Sequence, residues 1–498
     1  VGLLKATFQF SVHFALVLLA YSAPSFAVTP DNDCDELVRH HGEYVLVVDP
    51  FREGAFTAPA LTARGYRPIY VKTHEDNPVG VGFDPSPFIT GFAFAQSGRR
   101  FGNFDRLLHE LRNLDGPIAA VIPGTETSPE LTAQLAKALG LPGNVPALSH
   151  LWSDKYYLQR HLAKIGIESP ETILAFSPAE AIHWVQAVHR KWPVIVKPRD
   201  GMGSFGVSVC HSPKDIERAA NSILGKSTPR GTTVLTVLVQ EFIDTRPPET
   251  EGGDGAELHI VELVGHAGRY KTAYMEKYHH LDSSTGRVSW EYVDTVDPNG
   301  EGSDLLIETA KRAALHSGVH YGASHWEIYL IRKNGKLSAK FLDLGARIGG
   351  GMHAMTTLGT GNDIVISNMD AFLNESAFNA LPDKFELKKH VWHVGLNVMT
   401  EGNYRSAEAD VLKALSGLSS FEMYKPFGPD GKELEITKDL LSMSGWVYLA
   451  NADLEQLKRD YLFLRYKEHL GAFYSREGAI PSPVQAPQTD APVTTLPQ

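Results

Sequence analysis

Val194-Ile-Val-Lys-Pro-Arg-Asp-Gly-Met-Gly-Ser-Phe-Gly-Val207 is the stretch on which the reading of the fold turns. A short apolar run predicts a strand ending at Lys197, and Gly201, Gly203 and Gly206 follow it closely. Glycines let backbone N–H groups approach phosphate oxygens, Ser204 adds a hydroxyl donor, and Lys197 supplies a compensating point charge. The loop is not a Walker A motif, because no Gly-Lys-Ser/Thr tripeptide closes it. Taken alone it could equally be a β-hairpin with a glycine turn and a snorkelling lysine.

Ser324-His-Trp-Glu-Ile-Tyr-Leu-Ile-Arg332 and Leu337-Ser-Ala-Lys-Phe-Leu-Asp-Leu-Gly-Ala-Arg347 flank Asn334-Gly335. That turn dipeptide predicts a β-hairpin carrying Glu327 and Asp343 on mostly apolar strands. An isolated carboxylate is costly there unless it is paired or bound to a metal, and Mg²⁺ prefers acidic oxygen ligands completed by phosphate and water. The pairing imposes a condition. A two-residue loop sets Glu327 opposite Leu342 and sends Asp343 to the other face. For both carboxylates to share a metal, the loop must hold an odd number of residues or a bulge must intervene. Arg347, just before Ile348-Gly-Gly-Gly351, is placed to clamp a phosphoryl group, with space left beside it by the glycines.

Outward from these segments, Tyr44–Asp49, Arg67–Val71 and Pro117–Ile122 read as strands, and a helix is expected from Ser128 to Leu139. Strands alternating with helices imply βαβ units and a parallel sheet, here without the GxGxxG of a dinucleotide site. A helix is expected from Asp154 to Ile165 with Ser153 as its N-cap, and another after Ser212-Pro213. Val234–Phe242 is a β-branched run, followed by a polar loop over Thr245–Gly255.

At 498 residues the chain can hold two or three domains. A net charge of −11 argues against a nucleic-acid partner. Two cysteines, Cys34 and Cys210, make neither a disulfide framework nor a zinc motif. Near the N-terminus, Lys5, the apolar run Phe8–Tyr21 and Ser25-Phe-Ala27 resemble a secretory signal too short for a stable membrane span. An over-extended reading frame is the other reading, since residue 1 is Val and the first Met is Met202.

The order of these motifs resembles the ATP-grasp superfamily, and within it the carboxylate–amine ligases that include bacterial L-amino acid ligases (dipeptide synthetases). It runs through Ser153-Asp-Lys155, Lys197-Pro198, the glycine loop, Gln240-Glu-Phe-Ile243, Gly255-Ala-Glu257, His325-Trp-Glu327 and Asp343-Leu-Gly-Ala-Arg347. The resemblance covers about Leu141 to Leu373 and implies an α/β and α+β architecture. Its parts would be a signal-like or disordered segment (1–42), a preATP-grasp α/β domain (43–145), an ATP-grasp domain (146–385), a small α+β domain (386–475) and a disordered tail (476–498).

The resemblance also implies roles. Lys155 and Lys197 would contact ATP phosphates. Gly203, Ser204 and Phe205 would close over them. Gln240, Glu241, Phe242 and Ile243 would form the adenine hinge. Glu257 would bind ribose, Glu327 and Asp343 would hold Mg²⁺ or Mn²⁺, and Arg347 with Lys197 would act in catalysis. The family often has Glu at the position of Asp343 and Asn at that of Gly345. The implied reaction activates a small-molecule carboxylate as an acyl phosphate and joins it to an amine, most specifically two amino acids, in a cytoplasmic and homodimeric enzyme. An amine-deprotonating base is sought in Lys277-Tyr-His-His280. The alternatives are another biosynthetic ATP-grasp ligase or carboxylase, a nucleotide binder without catalysis, and, from the N-terminal segment alone, a secreted binding protein.

Overall fold

The computed structural model describes residues 42–73, 88–89, 104–246, 255–280, 290–398, 404–437 and 440–476. The signal-like segment, the centre of the polar insertion after Asp244 and the C-terminal tail lie outside the described residues.

The first sheet is parallel, in the order β3-β2-β1-β4, with β1 at Tyr44–Val48, β2 at Arg67–Lys72, β3 at Phe88–Ile89 and β4 at Ile118–Pro123. All five residues of β1 are buried, as expected of a parallel strand covered on both faces. The carboxyl ends of β1 and β4 lead into two turns, Phe51–Glu53 and Gly124–Thr127, that face the main cleft. Open α/β sheets place ligands at this edge. Gly124 is required for the turns to nest, because a Cβ there would sit 2.4 Å from the Asp49 carbonyl oxygen.

A second, antiparallel sheet runs β5-β8-β6-β7, with β5 at Thr172–Ala175, β6 at Val194–Pro198, β7 at Ser208–Cys210 and β8 at Val237–Glu241. Helices Pro178–Trp184 and Pro213–Ile223 pack on it around a core of its own, centred on Val194, Val196, Ile216, Ala220, Val237 and Val239. Ser212 caps the second helix by accepting from the Asp215 N–H. The helix Lys155–Ala163 is capped by Asp154, which accepts from the Tyr157 N–H, rather than by Ser153. The acid one position on has the extended backbone that a cap needs.

The third sheet spans eight antiparallel strands, β13-β12-β9-β10-β11-β14-β18-β16. They are β9 (Ala256–His266), β10 (Arg269–His280), β11 (Trp290–Thr295), β12 (Gly322–Lys333), β13 (Lys336–Gly345), β14 (His390–Leu396), β16 (Phe421–Pro426) and β18 (Gly445–Asn451). A small sheet of β15 (Tyr404–Ser406), β17 (Glu433–Leu434) and β19 (Tyr474–Arg476) lies beside them in sequence. Strands β14, β16 and β18 come from the last quarter of the chain yet continue the same sheet as the β12–β13 hairpin. The chain's largest core includes Trp326, Phe341, Tyr274 and Met355 and joins this sheet to helices Ser303–His316, Met352–Thr360 and Ile364–Leu373.

The hairpin meets the condition set by its pairing. Its loop holds two residues, with Lys333 opposite Lys336, and Asn334 and Gly335 both at positive φ as a type I′ turn needs. The register then shifts between Glu327 and Ile328, leaving Leu342 unpaired as a bulge, so that Glu327 faces Asp343.

Candidate active site

One cleft of about 1290 Å³ runs along a face of the eight-stranded sheet, roofed by the glycine loop and walled by the turns after β1 and β4. Its volume exceeds what one nucleotide-sized ligand occupies in ordinary sites. Of the sequence-predicted residues, Lys155, Lys197, Gly203, Ser204, Phe205, Gln240, Glu241, Phe242, Ile243, Glu327, Asp343 and Arg347 all line it.

Lys197, at the end of β6, is buried and donates from Nζ to Gln240 Oε1 on β8 at 2.8 Å. Gln240 in turn donates to the Thr172 hydroxyl at 2.8 Å, which fixes the amide's orientation. Burial, reinforced by the like charge of Lys155, lowers the Lys197 pKa to about 8. Lys155 Nζ lies 2.6 Å from Asp343 Oδ2, beside Glu327. Burial would raise Glu327, but the hydrogen bond and charge of His325, with Lys155 and Lys197, hold its carboxyl below the usual value. Glu241, at the end of β8, pairs with Lys340 at 2.8 Å.

Arg347 NH2 lies 2.5 Å from Glu126 Oε2. Glu126 stands in the turn after β4 and also takes Arg230, whose NH2 meets Oε1 while NH1 donates to the Glu126 carbonyl at 2.9 Å. One carboxylate therefore joins three parts of the chain: the parallel-sheet unit, the small antiparallel unit and the segment after β13. The sequence held only a faint signal for Glu126, namely a Gly-Thr-Glu turn directly after an apolar strand, and none for Arg230.

Behind Glu327, His325 Nδ1 is hydrogen-bonded to Glu262, and its Nε2 lies 3.3 Å from the Tyr278 hydroxyl and 3.6 Å from Glu327 Oε1. Burial opposes the charge on His325, but the Glu262 carboxylate raises its pKa to about 10, so the imidazolium is kept. Burial pushes the neighbouring Glu276 well above the ordinary carboxylate value. Glu262, Glu276 and His325 offer ligand atoms within 4.8 Å of one another. Glu262 and Glu276 each carry one buried oxygen with no hydrogen-bond partner among the described residues. Neither acid was singled out from sequence, because strand period alone does not say which face of β9 and β10 meets the cleft.

Two expectations need correction. Glu257 does not line the cleft. On β9 it is Leu258 that does, so alternation turns Glu257 to the opposite face. There its carboxylate meets His259 Nε2 at 3.3 Å and Lys277 Nζ at 3.1 Å, which lower its pKa to about 2. Alternation also divides the Lys277–His280 run: of its described side chains Tyr278 alone lines the cleft, while His279 stacks on Tyr292 at 4.1 Å and bonds to Asp294 at 3.1 Å. The side chain of His280 lies outside the described residues. The glycines after Arg347 are also less open than their composition implies. A Cβ on Gly349 would lie 2.2 Å from Glu262 Oε1 and one on Gly351 2.5 Å from His393 Cε1, whereas one on Gly350 would meet nothing within 4 Å.

Residues 152–250 match the RimK-like ATP-grasp domain family. The architecture above is that of the ATP-grasp fold, and the proteins this chain resembles are ligases. Among individual proteins, it is 28% identical to dapdiamide A synthase of Enterobacter agglomerans over 321 residues, 63% of this chain and 69% of that protein. Its fold is similar to that of L-amino acid ligase from Bacillus licheniformis, with TM-score 0.64 and 14% identity, covering 86% of this chain and 98% of that one. It is also similar to N5-carboxyaminoimidazole ribonucleotide synthetase from Thermotoga maritima, with TM-score 0.58 and 15% identity, covering 87% and 99%. Among the described residues no helix is long and apolar enough to cross a membrane.

Proposed function

We propose that this enzyme joins a small-molecule carboxylate to an amine at the expense of ATP, and that both substrates are amino acids, giving a dipeptide, ADP and phosphate. The observation that carries the reading is the pairing of Glu327 with Asp343 across β12 and β13, on the cleft face that also presents Lys155, Lys197 and Arg347. In the first step a carboxylate oxygen of one substrate attacks the γ-phosphorus and ADP leaves. Lys155 and Lys197 neutralise the phosphates, and Arg347, steered by Glu126, faces the transferred phosphoryl group. In the second step the amine nitrogen attacks the acyl carbon, its proton is lost, and inorganic phosphate leaves.

A divalent cation, Mg²⁺ or Mn²⁺, suits Glu327 and Asp343. Both carboxylates are partly exposed to the cleft, and Asp343 already holds the Lys155 ammonium at 2.6 Å as a cation would be held. When bound, the metal supplies charge neutralisation on the phosphate oxygens. Gly203, Ser204 and Phe205 would cover the phosphates and exclude water, and Gln240 to Ile243 would seat the adenine. In this reading residues 43–145, 146–385 and 386–475 serve as three domains, the enzyme works in the cytoplasm where ATP is available, and it pairs as a homodimer.

The test is phosphate release from Mg-ATP with amino acids singly and in pairs, with Glu327→Ala as control. Release that needs two amino acids and disappears in the variant supports the reading. Release with bicarbonate and an amine would favour a carboxylase, and ATP binding without release under any condition would leave a nucleotide binder.

A further inference from the structure

Beyond Arg347 the cleft changes character. Tyr278, Trp290, Trp446, His393 and Tyr448 form a continuous aromatic wall, with ring centroids 4.2 Å apart from Tyr278 to Trp290, 6.0 Å from Trp290 to Trp446, 3.9 Å from Trp446 to His393 and 4.3 Å from His393 to Tyr448. All five line the cleft. They come from β10, β11, β14 and β18, so the wall belongs to the same sheet face as Glu327. His393 is buried, and burial with the nearby Lys425 charge holds it neutral, so the wall carries no charge of its own.

Two cations frame this wall. Lys425 on β16 is the cross-strand partner of Trp446, which sets both side chains on one face. Arg52, in the turn after β1, also lines the cleft, within electrostatic range of Arg347, Glu126 and Glu53, from a backbone at φ 55°. A residue other than glycine in that region stores strain, which is commonest where position serves a ligand. Every other lysine or arginine lining the cleft is engaged: Lys155 by Asp343, Lys197 by Gln240, Arg246 by Asp244 and Arg347 by Glu126. Among the described lysines and arginines that line it, Arg52 and Lys425 alone have no ion pair or hydrogen bond, the Lys425 ammonium standing 5.9 Å from the Phe56 ring centroid. A guanidinium and an ammonium with free donors beside apolar rings suit an anionic group attached to an apolar body.

We propose that this compartment binds the amine-bearing substrate as an α-amino acid with a large apolar or aromatic side chain. Its carboxylate, which the reaction leaves free, is held by Lys425 and Arg52, and its side chain lies against the Trp290–Trp446–Tyr448 wall. Gly350 sets the size limit, since it lines the cleft and a side chain there would project into open space. The inference rests on the ligase reading for the identity of the reacting amine, but the binding it describes can be measured without turnover.

The experiment follows quenching of tryptophan fluorescence in the full chain on titration with L-phenylalanine and with 2-phenylethylamine, which lacks only the carboxylate. Phenylalanine is expected to bind about tenfold more tightly; Lys425→Met should reduce that preference, and Lys425→Met with Arg52→Met should abolish it, without weakening the amine. Gly350→Val should weaken phenylalanine about tenfold while leaving glycine as a ligation partner and the affinity for ATP within about twofold. Unchanged ATP affinity shows that each variant is folded. Equal binding of the two ligands by the unaltered chain, or a Lys425→Met, Arg52→Met double variant that still discriminates between them, overturns the proposal. Amide formation with phenylalanine excluded as acceptor overturns it and leaves the ligase reading standing. Selective phenylalanine binding with no turnover of any amino-acid pair would instead sink the ligase reading alone.

Discussion

Glu327 and Asp343 stand opposite one another on neighbouring strands because Leu342 is an extra residue between Asp343 and Phe341. The two-residue turn by itself would have placed one carboxylate on each face of the sheet. The bulge is therefore what brings both carboxylates to the cleft face. Asp343→Asn should lower kcat about 10³-fold, much as Glu327→Gln does, since charge neutralisation at a phosphoryl group is worth several kcal/mol. Deleting Leu342, by contrast, removes the extra residue, leaves Asp343 opposite Glu327 and should spare much of the activity. Phosphate release with circular dichroism as a fold control checks this. An Asp343→Asn variant that kept its activity would remove Asp343 from the argument.

Lys197 gives the pH dependence a direction. Its ammonium loses its proton near pH 8 in the free enzyme, well below an ordinary lysine. KM for ATP should therefore rise as pH climbs through 8. Replacing Lys155 with Met removes the neighbouring like charge and should move that rise to higher pH. A profile flat to pH 10 would mean that Lys197 carries no part of phosphate binding.

Glu126 compensates two arginine charges at once, Arg230 buried and Arg347 partly exposed to the cleft. Glu126→Ala should cost about 2 kcal/mol in chemical denaturation, after allowing for its partial exposure to the cleft. Arg230→Met leaves Glu126 paired with Arg347, so its stability cost should be smaller. It should nonetheless raise the phosphate released per amide formed, because the small antiparallel unit then loses its tie across the cleft mouth. Equal stoichiometry in wild type and variant would reduce Arg230 to a structural contact.

His393 must stay neutral to stay folded. Its pKa falls from the ordinary 6.5 to about 3 in the native state, so the unfolded chain takes up a proton that the native chain refuses. The stability this site contributes is complete above pH 6.5 and is lost as pH falls from 6.5 toward 3, by as much as about 4 kcal/mol. His393→Phe keeps a ring in the stack and should flatten that part of the curve. An unchanged acid limb would show that other groups govern it.

Much of this was legible from sequence, and the exceptions share a cause. Lys197, its glycine loop and the Glu327–Asp343 hairpin were readable because each lies within a short segment whose local pattern fixes its geometry, down to the parity argument that demanded a bulge. Glu257 was misplaced because the start of β9 follows an insertion, and a strand read one residue out of phase exchanges its faces. Tyr278 rather than its neighbours reaches the cleft for the same reason. Glu126 and Arg230 lie 104 residues apart and meet only in the fold. The aromatic wall draws on four strands whose order in the sheet no local pattern encodes.

The eight-stranded sheet carries phosphate-handling side chains at one end and the aromatic wall at the other, and these are strands of one hydrogen-bonded ladder. A ladder does not stretch. The separation between the place where phosphate is handled and the place where the amine waits is thus set like marks on a ruler. Adjustment falls instead to the small β5–β8 unit, whose apolar core is its own and so can tilt without being torn. On the proposed reading, the part left free to move is the cover over the nucleotide, and the choice of amine can be retuned at the far end of the ruler without recalibrating the near one.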